Sequence, residues 1–162
     1  MGHLPPKEVE ENPWDTLCVD LIGPYTIKRP GYVGKGKNRK RKETTLWCVT
    51  MIDPVTSWFE ITEIKTKSAD VIAAKVETTW LTRYPLPTQV VLDRGKEFMA
   101  KFTEMIERDY GIQEKHIRVR NPQANSKLER IHQNIGNRIR CHNVHSTPLD
   151  EKDPWTGILS AF

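Results

Sequence analysis

The run Trp14-Asp15-Thr16-Leu17-Cys18-Val19-Asp20-Leu21-Ile22 is the first strongly apolar segment of this 162-residue chain. Its alternation and β-branched content predict a β-strand from Trp14 to Ile22. Asp20 interrupts the apolar pattern, and burying a carboxylate is costly unless it is paired or bound to a cation. A strand-end carboxylate that faces water is the simpler alternative. Further acidic residues within equally distinctive local sequences would favour a cation-binding site over a solvent-facing carboxylate.

Two further acids meet that condition. Asp93 lies in Leu92-Asp93-Arg94-Gly95-Lys96-Glu97-Phe98, and Glu129 follows Asn121-Pro122-Gln123 in a segment with a helical pattern. Thirty-five residues lie between Asp93 and Glu129. Three carboxylates brought together repel one another, so at neutral pH they take up protons or hold cations. Oxygen ligands in small number suit Mg²⁺, and two such ions about 3.5–4 Å apart support an in-line phosphoryl displacement.

The three surroundings, their order and their spacing resemble the catalytic core of retroviral-type integrases, with the gypsy class of long-terminal-repeat (LTR) retrotransposons as the most similar group. The resemblance runs from about Trp14 to the chain end. It departs at Ser126-Lys127-Leu128, where many relatives carry a glycine. It implies a ribonuclease-H-like fold in which Asp20, Asp93 and Glu129 are catalytic and hold two Mg²⁺ (or Mn²⁺) ions. The implied reaction is metal-dependent DNA 3′-end processing and strand transfer, a polynucleotidyl transfer.

The pattern of the whole chain predicts an α/β fold that agrees with this resemblance. Three antiparallel strands come first and two parallel strands follow, which gives a mixed five-stranded sheet flanked by helices. The predicted strands cover 14–22, 44–52, 57–64, 89–92 and 116–119. The predicted helices run from an N-cap at Ser68 to before Pro85, over 97–110, and from 124 or 125 to about 142.

The last predicted helix carries a stripe of apolar residues that should face the sheet. Glu129 lies beside this stripe, at the rim of the core, where it can reach the strand ends. His132 is interpreted as a hydrogen-bonding residue near the site rather than a ligand, because Mg²⁺ prefers oxygen. The stripe consists of Leu128, Ile131, Ile135 and Ile139.

The resemblance also implies DNA contacts around Glu129. Asn121 and Gln123 belong to a predicted loop that would close over the DNA end. Lys127 and Arg130 would touch DNA phosphates and position the scissile group. A solvated helical face is the alternative for these two cations.

The net charge of +4 conceals an uneven distribution. Residues 28–42 contain eight basic residues and no acidic residue, so the remainder of the chain is mildly acidic. Pro30 and three glycines in this segment predict a loop. Three interpretations remain open: a solvated excursion, a nuclear-import signal, or a contact with DNA phosphates. The residues proposed for the DNA contact are Lys37, Arg39, Lys40, Arg41 and Lys42.

Cysteine usage and hydropathy restrict the compartment. Three widely spaced cysteines, an odd number, indicate reduced thiols in an intracellular protein. No apolar run approaches the eighteen or so residues of a membrane span, and the N-terminus lacks the apolar stretch of a signal peptide. Together with the resemblance, these features predict a nuclear protein without a membrane partner. Its expected partners are the element's DNA ends and target DNA, with a homo-oligomer assembled on that DNA.

In the family that the resemblance implies, a zinc-binding domain precedes the core and a small basic domain follows it. Residues 1–13 are interpreted as a linker remnant, and 14–162 as a catalytic core truncated at its C-terminus, because a helical pattern at 155–162 is cut short. The chain itself has no Cys-x-x-Cys pattern, so zinc is not expected. Two alternatives remain: a truncated or domesticated non-catalytic remnant that binds DNA or a partner, and a related DDE transposase.

Overall fold

The computed structural model describes residues 12–92, 96–114 and 122–145. The strands are β1 (Thr16–Val33), β2 (Lys40–Ile52), β3 (Phe59–Ile64), β4 (Gln89–Leu92) and β5 (Gln113–Glu114). The helices are α1 (Ala69–Val76), which continues as a π-helical turn (Glu77–Leu81), α2 (Lys96–Tyr110) and α3 (Pro122–His145). None of these helices combines the length and apolarity that a membrane crossing requires.

The five strands form one mixed sheet in the order β3-β2-β1-β4-β5. The pairs β3–β2 and β2–β1 are antiparallel, whereas β1–β4 and β4–β5 are parallel. The predicted arrangement of three antiparallel strands followed by two parallel strands is therefore confirmed. The first strand of the chain lies at the centre of the sheet.

Helices cover both faces of this sheet. Because side chains alternate along a strand, Leu17 and Val19 of β1 point to one face and Cys18 and Ile22 to the other. The first face packs against α1 and α2, and the second packs against α3. The central strand is thus apolar on both faces, which explains its nearly continuous hydrophobic sequence.

The predictions for the end of β1 and for the basic segment were wrong. β1 does not end at Ile22 but continues to Val33, and residues 28–42 are largely paired strands rather than a loop. The irregularity in the β1–β2 register between Lys28 and Tyr32 accommodates Pro30 and Gly31, whereas Gly34 and Gly36 lie in the connection between the two strands. A single 3₁₀ turn at Gly36–Asn38 lies between the two strands.

The later boundaries also differ from the predictions. β5 is a two-residue strand, and the strand predicted at 116–119 and the helical pattern at 155–162 lie outside the described residues. α3 begins at Pro122, so Pro122 and Gln123 are helical rather than part of a loop. Proline is favoured in a first helical turn, where its missing N–H has no intrahelical partner in any case.

Candidate active site

Asp20 lies on β1, on the face of the sheet that α3 covers. Its neighbours on that face, Cys18 and Ile22, are both buried against α3 residues. The Asp20 side chain is 18% exposed, and its Oδ1 accepts a 2.8 Å hydrogen bond from the backbone N–H of Leu21. Such a bond favours the charged form of a carboxylate. β1 can therefore carry an ionised acid at the margin of the core.

α3 brings the second acid to the same margin. Its four-residue apolar stripe packs on the sheet as predicted, and Ile135 within it is fully buried. Glu129, beside the stripe, is exposed. His132, one turn further along, is partly buried above β1 and β2. The helix thus holds an acid at the rim and an imidazole over the strands.

His132 connects α3 to the two strands beneath it. Its Nε2 lies 3.2 Å from the Thr50 hydroxyl, and that hydroxyl donates to the backbone carbonyl of Asp20 over 3.3 Å. Because a hydroxyl has one proton, the Nε2–H then donates to Thr50 Oγ1. The other ring nitrogen, Nδ1, lies 3.8 Å from Asp20 Oδ2, which is too long for a hydrogen bond.

The charge state of His132 decides the nature of that last contact. Burial lowers the pKa of His132, and the Glu129 carboxylate opposes this with a smaller effect that raises it. The imidazole is therefore neutral at neutral pH, and its approach to Asp20 is a polar contact rather than an ion pair. The neutral His132 ring thus lies close enough to interact electrostatically with both Asp20 of β1 and Glu129 of α3.

β4 leads toward the third predicted acid. It pairs with β1 in parallel, and its last residue, Leu92, lies opposite Val19. Asp93 itself lies outside the described residues. In the part of the chain that the structure describes, β4 therefore ends beside the residue that precedes Asp20.

Lys127 joins α3 to the turn between β2 and β3. Its Nζ donates to the Pro54 carbonyl over 2.7 Å. The preceding residue, Asp53, is fully buried, and its carboxylate accepts hydrogen bonds from the backbone N–H groups of Val55 and Thr56. Lys127, which was predicted to contact DNA, thus also holds α3 against the β2–β3 turn. The buried carboxylate of Asp53 stabilises that turn by its own hydrogen bonds.

The remaining predicted DNA contacts are distributed differently. Arg130 is exposed on α3. Asn121 lies outside the described residues, and Gln123 belongs to the first turn of α3, where its side chain is not described. The five predicted cations of the basic segment are exposed around the tip of the β1–β2 hairpin, at Lys37, Arg39, Lys40, Arg41 and Lys42.

Neither Thr50 nor Asp53 is among the site residues that were predicted from the sequence. Both are polar and fully buried. Thr50 lies directly opposite Asp20 in the β1–β2 register. A polar residue inside the apolar run of β2 was the available signal for Thr50. The Asp53 carboxylate accepts hydrogen bonds from residues two and three positions further along the chain, so the Asp53-Pro54 turn sequence was the available signal for Asp53.

The donor atoms near Asp20 fit a hard cation better than a soft one. Asp20 and Glu129 offer carboxylate oxygens, which Mg²⁺ prefers, whereas the ring nitrogens of His132 suit softer metals and one already bonds to Thr50. Among the described residues, no group of three or more His, Cys, Asp or Glu side chains could hold a metal. Asp93, the third predicted ligand, lies outside that part of the chain.

A family model described as "Integrase core domain" matches residues 14–122 of the chain. The match extends from two residues before β1 to the first residue of α3. It includes Asp20 and Asp93, and Glu129 lies seven residues beyond its last position.

Two curated relatives give a weaker but consistent likeness. The Gypsy retrotransposon integrase-like protein 1 of Pongo abelii is 25% identical over 104 residues, and that of Homo sapiens is 24% identical over 104 residues. Each alignment covers 64% of this chain but only 17% of the relative. The chain therefore spans about a sixth of these proteins' length.

Solved structures share the fold. The catalytic core domain of BIV integrase matches with a TM-score of 0.61 at 16% identity, covering 91% of this chain and 82% of that one. The HTLV-2 integrase catalytic core domain, in complex with magnesium and in a dimeric form, matches with a TM-score of 0.59 at 14% identity, covering 91% and 84%. These similarities confirm the predicted ribonuclease-H-like architecture.

Proposed function

Because the chain belongs to the integrase core domain family, we propose that it catalyses polynucleotidyl transfer on DNA, namely 3′-end processing and strand transfer for an LTR retrotransposon. The observation that carries this proposal is the meeting of Asp20 and the Glu129–His132 turn of α3 across the central strand. Two of the three carboxylates that the proposed site needs thus come from the central strand and from the rim of α3.

Asp20, Asp93 and Glu129 would hold divalent Mg²⁺ or Mn²⁺ ions. When bound, such ions lower the energy of attack on phosphate by stabilising the entering and leaving oxygens. The chain's own contribution is orientation. The Leu21 N–H bonds to one oxygen of Asp20, which leaves Oδ2 directed toward His132 of α3.

The cations of α3 would position the DNA. Arg130 follows Glu129 and is exposed, so it can reach a phosphate next to the scissile one. Contacts of this kind fix register without reading sequence. Lys127 is bonded to the Pro54 carbonyl, and an ammonium has three donors, so it can bind a phosphate without leaving the turn.

The test is the reversal of strand transfer on a branched DNA substrate, with Mn²⁺ or Mg²⁺. We expect product from the wild-type chain, and its loss in Asp20→Asn, Asp93→Asn and Glu129→Gln, each taken alone. Glu107→Gln is the matched control, because Glu107 is an exposed acid on α2, which packs on the opposite face of the sheet. Circular dichroism establishes that each variant is folded.

The outcomes separate the alternatives. A chain that binds the branched DNA but yields no product in any form would be the non-catalytic remnant. Product that persists in all three acid variants would place the chemistry elsewhere and contradict the proposal.

We also propose that the chain acts in the nucleus and as a homo-oligomer on DNA. The location follows from the chromosomal target, and the dimeric form of the HTLV-2 core supports the assembly. A fusion to a protein too large for passive entry tests the first, with cytoplasmic retention as the contrary result. Light scattering with and without branched DNA tests the second, and a monomeric complex would contradict it.

A further inference from the structure

The β1–β2 hairpin extends well beyond the sheet. Among the described residues, β4 pairs with β1 only over Thr16–Val19, and β3 pairs with β2 only over Trp47–Ile52. Residues 25–33 and 40–46 pair with each other and with no other described strand. We call these two segments, with their turn, the basic ribbon. It is a two-stranded arm about 20 Å long at 3.3 Å per residue.

The base of the ribbon is rigidly attached to α3. Ile27 is buried in the same cluster as residues of the α3 stripe. The Asn143 side chain accepts a 2.9 Å hydrogen bond from the Lys28 N–H and donates a 2.8 Å bond to the Thr26 carbonyl. Beyond this base, every residue from 31 to 43 is exposed. The ribbon is therefore a fixed arm with a solvated tip.

Positive charge lies on both faces of the ribbon. Successive side chains of a strand point to opposite faces, so Lys40 and Lys42 lie on one face and Arg41 on the other. Arg41 is paired with Tyr32 across the strands, and the Arg39 guanidinium lies 4.2 Å from the centre of the Tyr32 ring. An arm that rested on a flat anionic surface would need cations on one face only.

A groove between two phosphate-lined walls requires charge on both faces. The major groove of B-DNA, about 12 Å wide, admits a two-stranded β-ribbon, whose strands lie about 4.8 Å apart. The major groove of A-form RNA is too deep and narrow to admit side chains. Tyr32 and Val33, 58% and 61% accessible, add one exposed apolar side chain to each face of the ribbon near its tip, and apolar side chains contact thymine methyl groups in the major groove.

We infer that the basic ribbon is an arm that inserts into the major groove of duplex DNA. The inference deepens the proposed function, on which it rests, by naming the form of DNA held and the element that holds it. Binding is measured in EDTA, where no transfer occurs, so failure of the ribbon and failure of the catalytic proposal give separate results.

The first experiment measures the salt dependence of binding of the full chain to a duplex. Lys37→Ser, Lys40→Ser and Lys42→Ser are combined in a ribbon variant. The matched control combines Lys65→Ser, Lys67→Ser and Lys75→Ser, which removes the same charge from α1 and the segment before it. For each phosphate that the ribbon variant no longer neutralises, we expect the slope of log affinity against log salt to become shallower by about 0.9. The control should keep the wild-type slope, and equal slopes in the two variants would overturn the inference.

The second experiment blocks the groove instead of changing the protein. A duplex that carries glucosylated hydroxymethylcytosine has the same phosphates but an obstructed major groove. The wild-type chain should bind it as weakly as the ribbon variant binds the unmodified duplex, and combining both changes should weaken binding no further. Undiminished binding to the glucosylated duplex, or tighter binding to duplex RNA than to duplex DNA, would contradict groove insertion.

Discussion

Thr50 and Asp20 lie directly opposite each other in the antiparallel β1–β2 ladder, and His132 of α3 approaches both of them. The strand that carries the candidate catalytic acid is therefore coupled to the helix that carries Glu129 through a buried hydroxyl and a neutral imidazole. Displacement of α3 would disturb both acids together. The geometry of the site thus depends on how well α3 docks.

Removing the Thr50 hydroxyl should destabilise the fold. Thr50→Val keeps the shape of the side chain but leaves a partly buried ring nitrogen of His132 without this partner, at a cost of about 1–3 kcal/mol. Urea unfolding measures the change. Thr45→Val on the same strand is the control, since Thr45 is exposed and should change stability by less than about 0.5 kcal/mol. Equal effects would show that the Thr50–His132 bond contributes little.

Divalent metal should stabilise the wild-type chain and not the Asp20→Asn variant. Converging carboxylates repel one another, and a ligand that binds only the folded state raises its stability. We expect Mn²⁺ or Mg²⁺ to raise the Tm of the wild type and of Glu107→Gln, measured by calorimetry against EDTA. In EDTA, Asp20→Asn should melt no lower than the wild type, since it removes a repelling charge. An equal metal response in all three proteins would argue against Asp20 as a ligand.

Two glycine substitutions should have opposite signs. Gly23 has a φ of +124°, and a Cβ there would lie 2.9 Å from the Leu46 carbonyl oxygen, so Gly23→Ala should cost about 1–3 kcal/mol. Gly136 lies within α3, where the nearest atom to an added Cβ is the end of the flexible Arg140 side chain at 4.0 Å. Gly136→Ala should therefore stabilise the chain by about 0.5–1 kcal/mol. Chemical denaturation of both variants measures the change in the free energy of unfolding. A change of the same sign in both variants would contradict this expectation.

The bond between Tyr110 and Glu77 should make stability depend on alkaline pH. The Tyr110 hydroxyl donates to the Glu77 carboxylate and so links the end of α2 to the π-helical turn. This bond, together with burial, raises the pKa of Tyr110 to about 12. Because the folded pKa lies above the unfolded value of about 10, the stabilisation is complete below about pH 10 and is lost as pH rises through about 12.

Tyr110→Phe tests that sign. The variant should lose about 1 kcal/mol at neutral pH, and its difference from the wild type should shrink between about pH 10 and 12. Urea unfolding at several pH values measures this. Tyr32→Phe, at an exposed site, should have the same stability as the wild type at every pH. A Tyr110→Phe difference that stays constant over that whole alkaline range would rule out the phenol as the titrating group.

Local patterns in the sequence determined the layers of this fold. The apolar runs of β1 and β2 and the 3.6-residue stripe of α3 each specify which side must be buried, and the sheet and helix pack accordingly. The fully buried Ile135 lies in the predicted stripe. These predictions hold because the residues of a single helix or strand determine which of its faces is apolar and must be buried.

Pairing between distant segments was visible only in the tertiary structure. Residues 28–42 suggested a loop because glycine and proline are local signals, whereas strand pairing of Lys28 with Glu43 and Val33 with Lys40 is a property of two segments together. In the same way, no local pattern joins Asp20, Thr50 and His132. The β1–β2 register and the docking of α3 bring them together. The sequence alone thus named the acids and the helix face, and the fold decided their partners, because hydrogen bonds and register link residues that are remote along the chain.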